Sequence, residues 1–302
     1  EVNILADSIS PQGVRLTTFE LTYPRYIHAE VMTHRVFSRN AQSSRAIPVN
    51  RSLEQTILSP IVWGENKSGM SSEKELSVND QKMCAYYWHA AARTCQDFAE
   101  RLAKVGLHKQ WSNRMLEWFS PIKVVVTATE WDNFFWLRDD PDAAQPEIVE
   151  LARKMKEAME KSTPQLLQPG EWHLPYVRVI KKRGQTRYGL PRNGGDDYIE
   201  IQEVDLETAK KVSAGCCAAV SYRNNPTIEK CLEIWDKLFS GPKPHLSPVE
   251  HQATPMFGAN QYSEIANLQS PKTWQIGITH SDRVGNLWSG NLRGFIQLRQ
   301  TL

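Results

Sequence analysis

A chain of 302 residues is long enough to bury a sizeable core, as one large domain or two small ones. Its 40% hydrophobic and 23% charged residues are ordinary globular composition, and a net charge of +2 excludes a nucleic-acid coat protein or a polybasic membrane anchor. No apolar run approaches the roughly 18 residues that cross a bilayer. The N-terminal EVNILADSIS lacks the basic and apolar regions of a signal peptide. The five cysteines (Cys84, Cys95, Cys216, Cys217 and Cys231) contain no C-x-x-C pair, so they read as reduced, buried structural thiols rather than a zinc site. A cytoplasmic protein with no bound metal is expected.

Taken in chain order, Arg15 to Tyr23 alternates, with Leu16 out of step and Phe19, Leu21 and Tyr23 on one face of a half-buried strand. Pro24 ends it and opens a helix with Ile27 and Val31 on one side, Glu30 and His34 on another. The following SRNAQSSRAIP reads as a polar loop, and residues 64 to 80 as a mobile excursion. From Asp80 to Val105, Met83, Tyr86, Tyr87, Ala90, Ala91, Thr94, Phe98, Leu102 and Val105 recur at helical spacing, which predicts a long core helix stopped by Gly106. A short helix carries Trp111, Met115 and Leu116, and Lys123 to Thr129 is a β-branched strand. Pro146 starts a helix burying Ile148, Leu151, Met155 and Met159.

Residues 178 to 195 read as a basic, solvated loop or hairpin. A helix follows from about Thr208 to Ala219, and another begins at Asn225-Pro226 with Ile228, Cys231, Leu232, Trp235 and Leu238. The final SGNLRGFIQLRQ reads as an added amphipathic helix. Long helices with a few strands make the fold class α+β.

The chemistry concentrates in Thr33 to Arg45, THRVFSRNAQSSR, where basic and hydroxyl side chains crowd a helix end and the segment after it. Arginines and hydroxyls together offer charge-assisted donors to phosphate oxygens. A solvated basic loop explains the same residues on spacing alone.

The segment resembles the signature of the flavin-dependent thymidylate synthases, R-H-R, seven residues, then serine; here Thr33-His34-Arg35 is followed after seven residues by Ser43. The lead-in FELTYPRYIHAEVM resembles the family's strand-proline-helix. GLHKQWSNRMLEWF resembles the helix that places a substrate-binding arginine, here Arg114. TATEWDNFFWLRDDPDAAQPEI resembles the segment with a flavin-contacting asparagine and a pyrimidine-contacting arginine, here Asn133 and Arg138. HLSPVEH at 245 to 251 resembles the flavin-site motif H-x-[ST]-P-F-E-H, and CCAAVSY the A-R-V-S-Y helix. In the ordinary member these last two precede the signature, so the order implies a circularly permuted or rearranged member.

What the resemblance implies is a single interlocked catalytic domain over 1–302, with long helices packed on a small twisted sheet. Residues 1–177 would carry the signature, 178–204 the new connection, 205–260 the displaced flavin motif and 261–302 an extension. FAD would lie between subunits of a homotetramer, held by His34, Arg35, Asn133, His245 and Ser247, with Thr127 and Thr129 lining its pocket. Ser43, Ser44 and Arg45 would cradle the nucleotide's phosphate and ribose, and Arg114 and Arg138 its ring and phosphate, with Glu30 beside the base. Arg138 would be catalytic, stabilising negative charge on the pyrimidine.

The implied reaction moves a one-carbon unit from methylenetetrahydrofolate to C5 of dUMP, giving dTMP, with NADPH as reductant and neither nucleic acid nor membrane as partner. Glu30, Thr33 and Ala41 depart from the family's usual glutamine, arginine and glutamate. The run after Arg138 has an extra residue before Ala144-Gln145 and lacks the family's histidine. These departures leave open a hydroxymethylase of dUMP or dCMP on the same fold, or a non-catalytic flavin- or nucleotide-binding relative.

Overall fold

Two strands, β1 (Val2–Ile9) and β2 (Arg15–Pro24), pair antiparallel across a turn in which Gly13 takes φ +81°, a left-handed conformation open to glycine. The computed structural model describes residues 1–69, 71–72, 74–182, 185–193, 199–221, 227–257 and 274–302. A 3-10 turn (Arg25–Ile27) leads into α1 (His28–Met32), with Ile27 and Val31 buried as expected. The predicted polar loop instead begins as a strand, β3 (Ser38–Ala41). Its backbone completes the edge of the sheet, and Ser38 and Asn40 are buried.

After α2 (Val49–Leu53), Gly64 forms an antiparallel bridge with Glu75, which ties together described residues of the segment expected as a mobile excursion. Helix α3 (Val78–Lys104) runs as predicted, capped by the Ser77 hydroxyl and ended by Gly106 at φ +95°. It is not a core helix in this chain. Only Ala92 and Ala99 are buried along it, whereas Tyr86 is 66% and Val105 87% exposed. Then come α4 (Lys109–Ser112), a 3-10 segment (Asn113–Phe119), β4 (Pro121–Ala128), α5 (Asp132–Arg138), α6 (Pro146–Lys161) and β5 (Gln165–Leu166).

These strands form one sheet in the order β3-β4-β2-β1-β5, antiparallel except for the β1–β5 pair. On its front face Phe19, Leu21, Tyr23, Ile122, Val124 and Val126 pack against Ile148, Leu151 and Met155 of α6. The back face explains Leu16, which is out of step because it joins Ala253, Leu292 and Phe295 from the far end of the chain. Val125 likewise packs on Cys217 and Val220. With both faces of β4 covered, its near-continuous apolar run is accounted for.

The basic stretch expected as a connecting loop is a three-stranded antiparallel sheet, β6 (Arg178–Lys182), β7 (Gln185–Asn193) and β8 (Ile199–Val204). Tyr188 and Leu190 are buried against α7 (Leu206–Ala218) and α8 (Ile228–Phe239), while Arg178, Lys181 and Arg187 are exposed. Asn225 and Pro226, expected to start α8, lie outside the described residues, and the described helix is capped by Thr227. Cys216, Cys217 and Cys231 are buried, while Cys84 and Cys95 are half-buried, short of the burial expected.

After β9 (Ala253–Pro255), β10 (His280–Ser281) and β11 (Leu287–Ser289), the segment predicted as a C-terminal helix is instead β12 (Leu292–Arg293) and β13 (Phe295–Gln297), with a 3-10 turn at Leu298–Thr301. Gly290 and Gly294 at positive φ break the helical register, and β13 pairs with β9. The architecture is α+β, and no described helix is long and apolar enough to cross a membrane.

A buried chain of polar groups joins the two halves. Ser8 Oγ meets His173 Nδ1 at 2.8 Å, and His173 Nε2 meets Thr18 Oγ1 at 2.7 Å. Thr18 meets its cross-strand neighbour Thr127 at 2.7 Å, and Thr127 meets His251 Nδ1 at 2.8 Å. Burial holds both imidazoles neutral, with pKa values lowered to about 3. Each folded-state value lies below the unfolded value near 6.5, so this stability is complete above pH 6.5. It is lost as pH falls through that value toward 3. Urea unfolding at pH 7 and pH 5 should therefore differ by about 2 kcal/mol per histidine; equal midpoints would show that the pair titrates normally.

Candidate active site

The C-terminal end of α5 and the C-terminal end of α1 meet at Arg138. Its Nε donates to His34 Nε2 at 3.1 Å, and its Nη2 donates to Thr33 Oγ1 at 3.0 Å and to the Glu30 carbonyl at 3.4 Å. Nη1 stands 3.5 Å from Glu30 Oε2. His34 is 6% exposed, stacked on Phe37 and edge-on to Phe134. Burial, then the charges of Arg138 and Arg39, lower its pKa, so a neutral ring accepts from Arg138 and carries its proton on Nδ1. The structure thus gathers His34, Glu30 and Arg138, three residues expected from separate motifs, into one cluster.

Arg39 stands at the end of α1, its Nη1 donating to the Met32 carbonyl at 2.7 Å and the His34 carbonyl at 3.2 Å. It satisfies helix-end acceptors and sets the direction of β3. Further on, the Ser43 backbone N–H donates to Ser221 Oγ at 3.1 Å, and Asn40 Nδ2 to the Cys217 carbonyl at 3.0 Å. The signature segment is therefore laid against the CCAAVS end of α7; Tyr222 lies outside the described residues.

Ser44 is buried and Arg45 exposed. Asn113 holds the turn that carries them, its Nδ2 donating to the Ser44 carbonyl at 2.8 Å and the Ile47 carbonyl at 2.9 Å. Arg114, next in sequence, is exposed and pairs with Glu117 at 3.2 Å, away from Arg138's contacts. Arg35, Asn133, His245 and Ser247 are exposed, and among the described residues no side-chain hydrogen bond ties them to the cluster.

Thr127 has no exposed surface, because its hydroxyl sits between Thr18 and His251, so it supports the sheet rather than lining an open pocket. Thr129 Oγ1 accepts the Arg293 backbone N–H at 3.0 Å. The displaced motif, a 3-10 turn at Ser247–Glu250, packs on β3. Gln297 holds it there by donating to the Glu250 carbonyl at 2.9 Å and to Ser38 Oγ at 3.3 Å.

Sequence reasoning missed the supports Asn113, Thr18, His173 and His251; of these His251 carried a signal, as the last residue of HLSPVEH, and Arg39 stood within the basic cluster but with a phosphate role in place of a helix-end one. A cavity of about 470 Å³ between β1 and β6, lined by Asp7, Trp172, His173 and Arg178, contains none of the expected site residues. Replacing Asn113 with alanine should cost about 1–3 kcal/mol in chemical denaturation, because two buried carbonyls lose their donor; an unchanged midpoint would mean water replaces the amide without loss.

Among solved structures, a UMP/dUMP methylase PolB from Streptomyces cacaoi bound with 5-Br UMP is 19% identical, over 53% of this chain and 89% of that one, with a TM-score of 0.44. The same protein bound with 5-Br dUMP is 18% identical, over 53% and 90% of the two chains, with a TM-score of 0.46. No curated protein sequence matches the chain. The family model of the thymidylate synthase complementing protein matches residues 10–165, which span β2 through β5 and contain the whole Arg138 cluster. The chain therefore belongs to the thymidylate synthase complementing protein family.

Proposed function

We propose that this protein is a flavin-dependent transferase that moves a one-carbon unit from methylenetetrahydrofolate to C5 of a pyrimidine deoxynucleotide, dUMP giving dTMP. The observation that carries the reading is that Arg138, His34 and Glu30 converge within the matched region. Arg138 is held by three acceptors of its own chain and an ion pair with Glu30, so its guanidinium is oriented before a substrate arrives. A fixed cation beside the ring favours negative charge on the pyrimidine, which makes C5 nucleophilic. Arg138 is the proposed catalytic residue, with Arg114 on the phosphate side and Glu30 beside the base.

The cofactor would be FAD, with NADPH as reductant. The donor set fits an anionic dinucleotide, since Arg35 and Arg45 are exposed and form no ion pair among the described residues. His34, Arg35, Asn133, His245 and Ser247 would hold it, with Thr129 at the strand end, while Ser43, Ser44 and Arg45 take the nucleotide's phosphate and ribose. When bound, reduced flavin supplies the hydride that turns the transferred carbon into a methyl group. We further read residues 1–302 as one interlocked catalytic unit of permuted order, because β9 and β13 complete the back of the signature-bearing sheet.

Glu30 favours a second reading, a hydroxymethylase of dUMP or dCMP, since a carboxylate beside the base alters which ring edge is accepted. Mass spectrometry of products from dUMP and from dCMP decides between them. A methyl product from dUMP alone supports thymidylate synthesis, a hydroxymethyl product supports the alternative, and no product from either returns the chain to a binding role. Arg138→Ala should retain flavin and lose at least about a hundredfold in turnover; unchanged turnover would remove Arg138 from the chemistry.

The exposed face of α3 supports a homotetramer. Met83, Tyr87, Thr94, Phe98 and Val105 follow each other at intervals of four and seven residues, the pattern of a helix seam, and all are exposed. Exchanging Tyr87 and Phe98 for glutamate should lower the mass measured by light scattering and weaken FAD binding together. A variant of unchanged mass would place the interface elsewhere.

A further inference from the structure

The cavity of about 470 Å³ between β1 and β6 falls in the range of about 300–1,000 Å³ in which proteins hold small molecules. No residue proposed for flavin or nucleotide lines it. Much of its wall is apolar, with Leu5 of β1, Leu174, Val177 and Ile180 joined by the Trp172 indole. Leu5 stands at a slip in the β1–β2 register: Ile4 pairs with Phe19 and Ala6 with Thr18, which leaves Leu5 as the extra residue of a bulge. The far wall is fixed from behind. Lys210 Nζ lies 4.2 Å from the Trp172 ring centroid, and the His173 backbone exchanges two hydrogen bonds with Ala253. The fold itself therefore forms the chamber.

Charge selects the chemical class of its ligand. Asp7, His173, Arg178 and Lys181 are the ionisable residues lining the cavity. Asp7 is committed to Arg15 at 2.6 Å and accepts from Thr17 and Ser162 as well. Lys181 is committed to Glu171 at 2.9 Å and to the Leu166 carbonyl, and His173 is held neutral between Ser8 and Thr18. Arg178 is exposed, and among the described residues its guanidinium has neither an ion pair nor a hydrogen bond. One uncompensated guanidinium beside an apolar chamber matches one carboxylate, which it can meet with two parallel N–H donors. A phosphate monoester would bring up to two negative charges to that one cation. We propose that this cavity is a second ligand site, which takes a small monocarboxylate with an apolar body: the body packs against Trp172 and Leu5, and the carboxylate pairs with Arg178. Apolar contact supplies most of the affinity, and Arg178 selects the charge, since an ion pair open to solvent adds no more than about fivefold. Flat aromatic and aliphatic carboxylates share this chemistry. The site goes beyond the proposed transfer reaction and holds whether or not the chain turns over a nucleotide.

The test is isothermal calorimetry of the full chain with 2-naphthoate, decanoate, their neutral alcohols 2-naphthalenemethanol and decanol, and inorganic phosphate. Wild type should bind at least one of the two carboxylates at one per chain, and the better of them identifies the body as flat or aliphatic. The matching alcohol should bind about three- to fivefold more weakly, and phosphate should neither bind nor compete. In R178Q the carboxylate and its alcohol should have equal affinity. A6F places a ring in the chamber from β1 and should abolish uptake of both, with circular dichroism reporting whether the variant is folded. If A6F does not fold, R178Q decides, because Arg178 is an exposed side chain. Absence of binding by both carboxylates at millimolar concentration, tighter binding of phosphate, a charge preference that survives in R178Q, or uptake unchanged in folded A6F overturns the proposal.

Discussion

Thr18 and Thr127 face each other across β2 and β4, and their hydroxyls meet at 2.7 Å with no exposure to solvent. Two hydroxyls in that position require further partners, because a buried polar group left unpaired is costly. The partners come from the second half of the chain: His173 on the Thr18 side and His251 on the Thr127 side. The sheet is therefore complete only when residues beyond the matched region close over its back. Leu16 and Val125 impose the same demand in apolar terms, through Phe295 and Ala253 on one side and Cys217 and Val220 on the other.

This constraint positions the site. Closing the back of β4 brings the HLSPVEH turn onto β3, which starts three residues after Arg35. Gln297 and Asn291 hydrogen-bond Ser38, Gln297 also joining it to the turn at the Glu250 carbonyl, and Arg299 pairs with Glu250. On the front face the aromatic packing of Phe37, Phe134 and Trp131 sets the distance between α1 and α5, and so between His34 and Arg138. Two motifs about two hundred residues apart in sequence thus meet at one strand.

Residues whose role follows from local chemistry were legible in the sequence. The β-branched run of β4, the proline starting α6 and the glycine ending α3 follow from period or capping, whereas Arg138 beside His34 was implied only by the family resemblance. Features decided by distant partners were not. β3 looked like a loop because four residues of mixed polarity carry no period, and only pairing with β4 makes them a strand. The apolar stripe of α3 showed its helical spacing but not what covers it, since a core stripe and an interface stripe have the same pattern. The C-terminal FIQ looked helical because its glycines, which force the turns between β11, β12 and β13, read as incidental. Asn113 was hidden beside Arg114, whose charge drew the attention, while the buried amide organises the loop.

The central claim is that the signature segment and the displaced turn make one flavin-binding site from both halves of the chain. The most direct measurement is a titration of the purified full chain with FAD, followed through the visible absorbance of the bound flavin. One site built by both halves predicts saturable uptake at one flavin per chain, weakened alike by alanine at His34 and Arg35 or at His245 and Ser247. A protein that remains colourless after reconstitution, or a flavin uptake indifferent to the second pair, contradicts it.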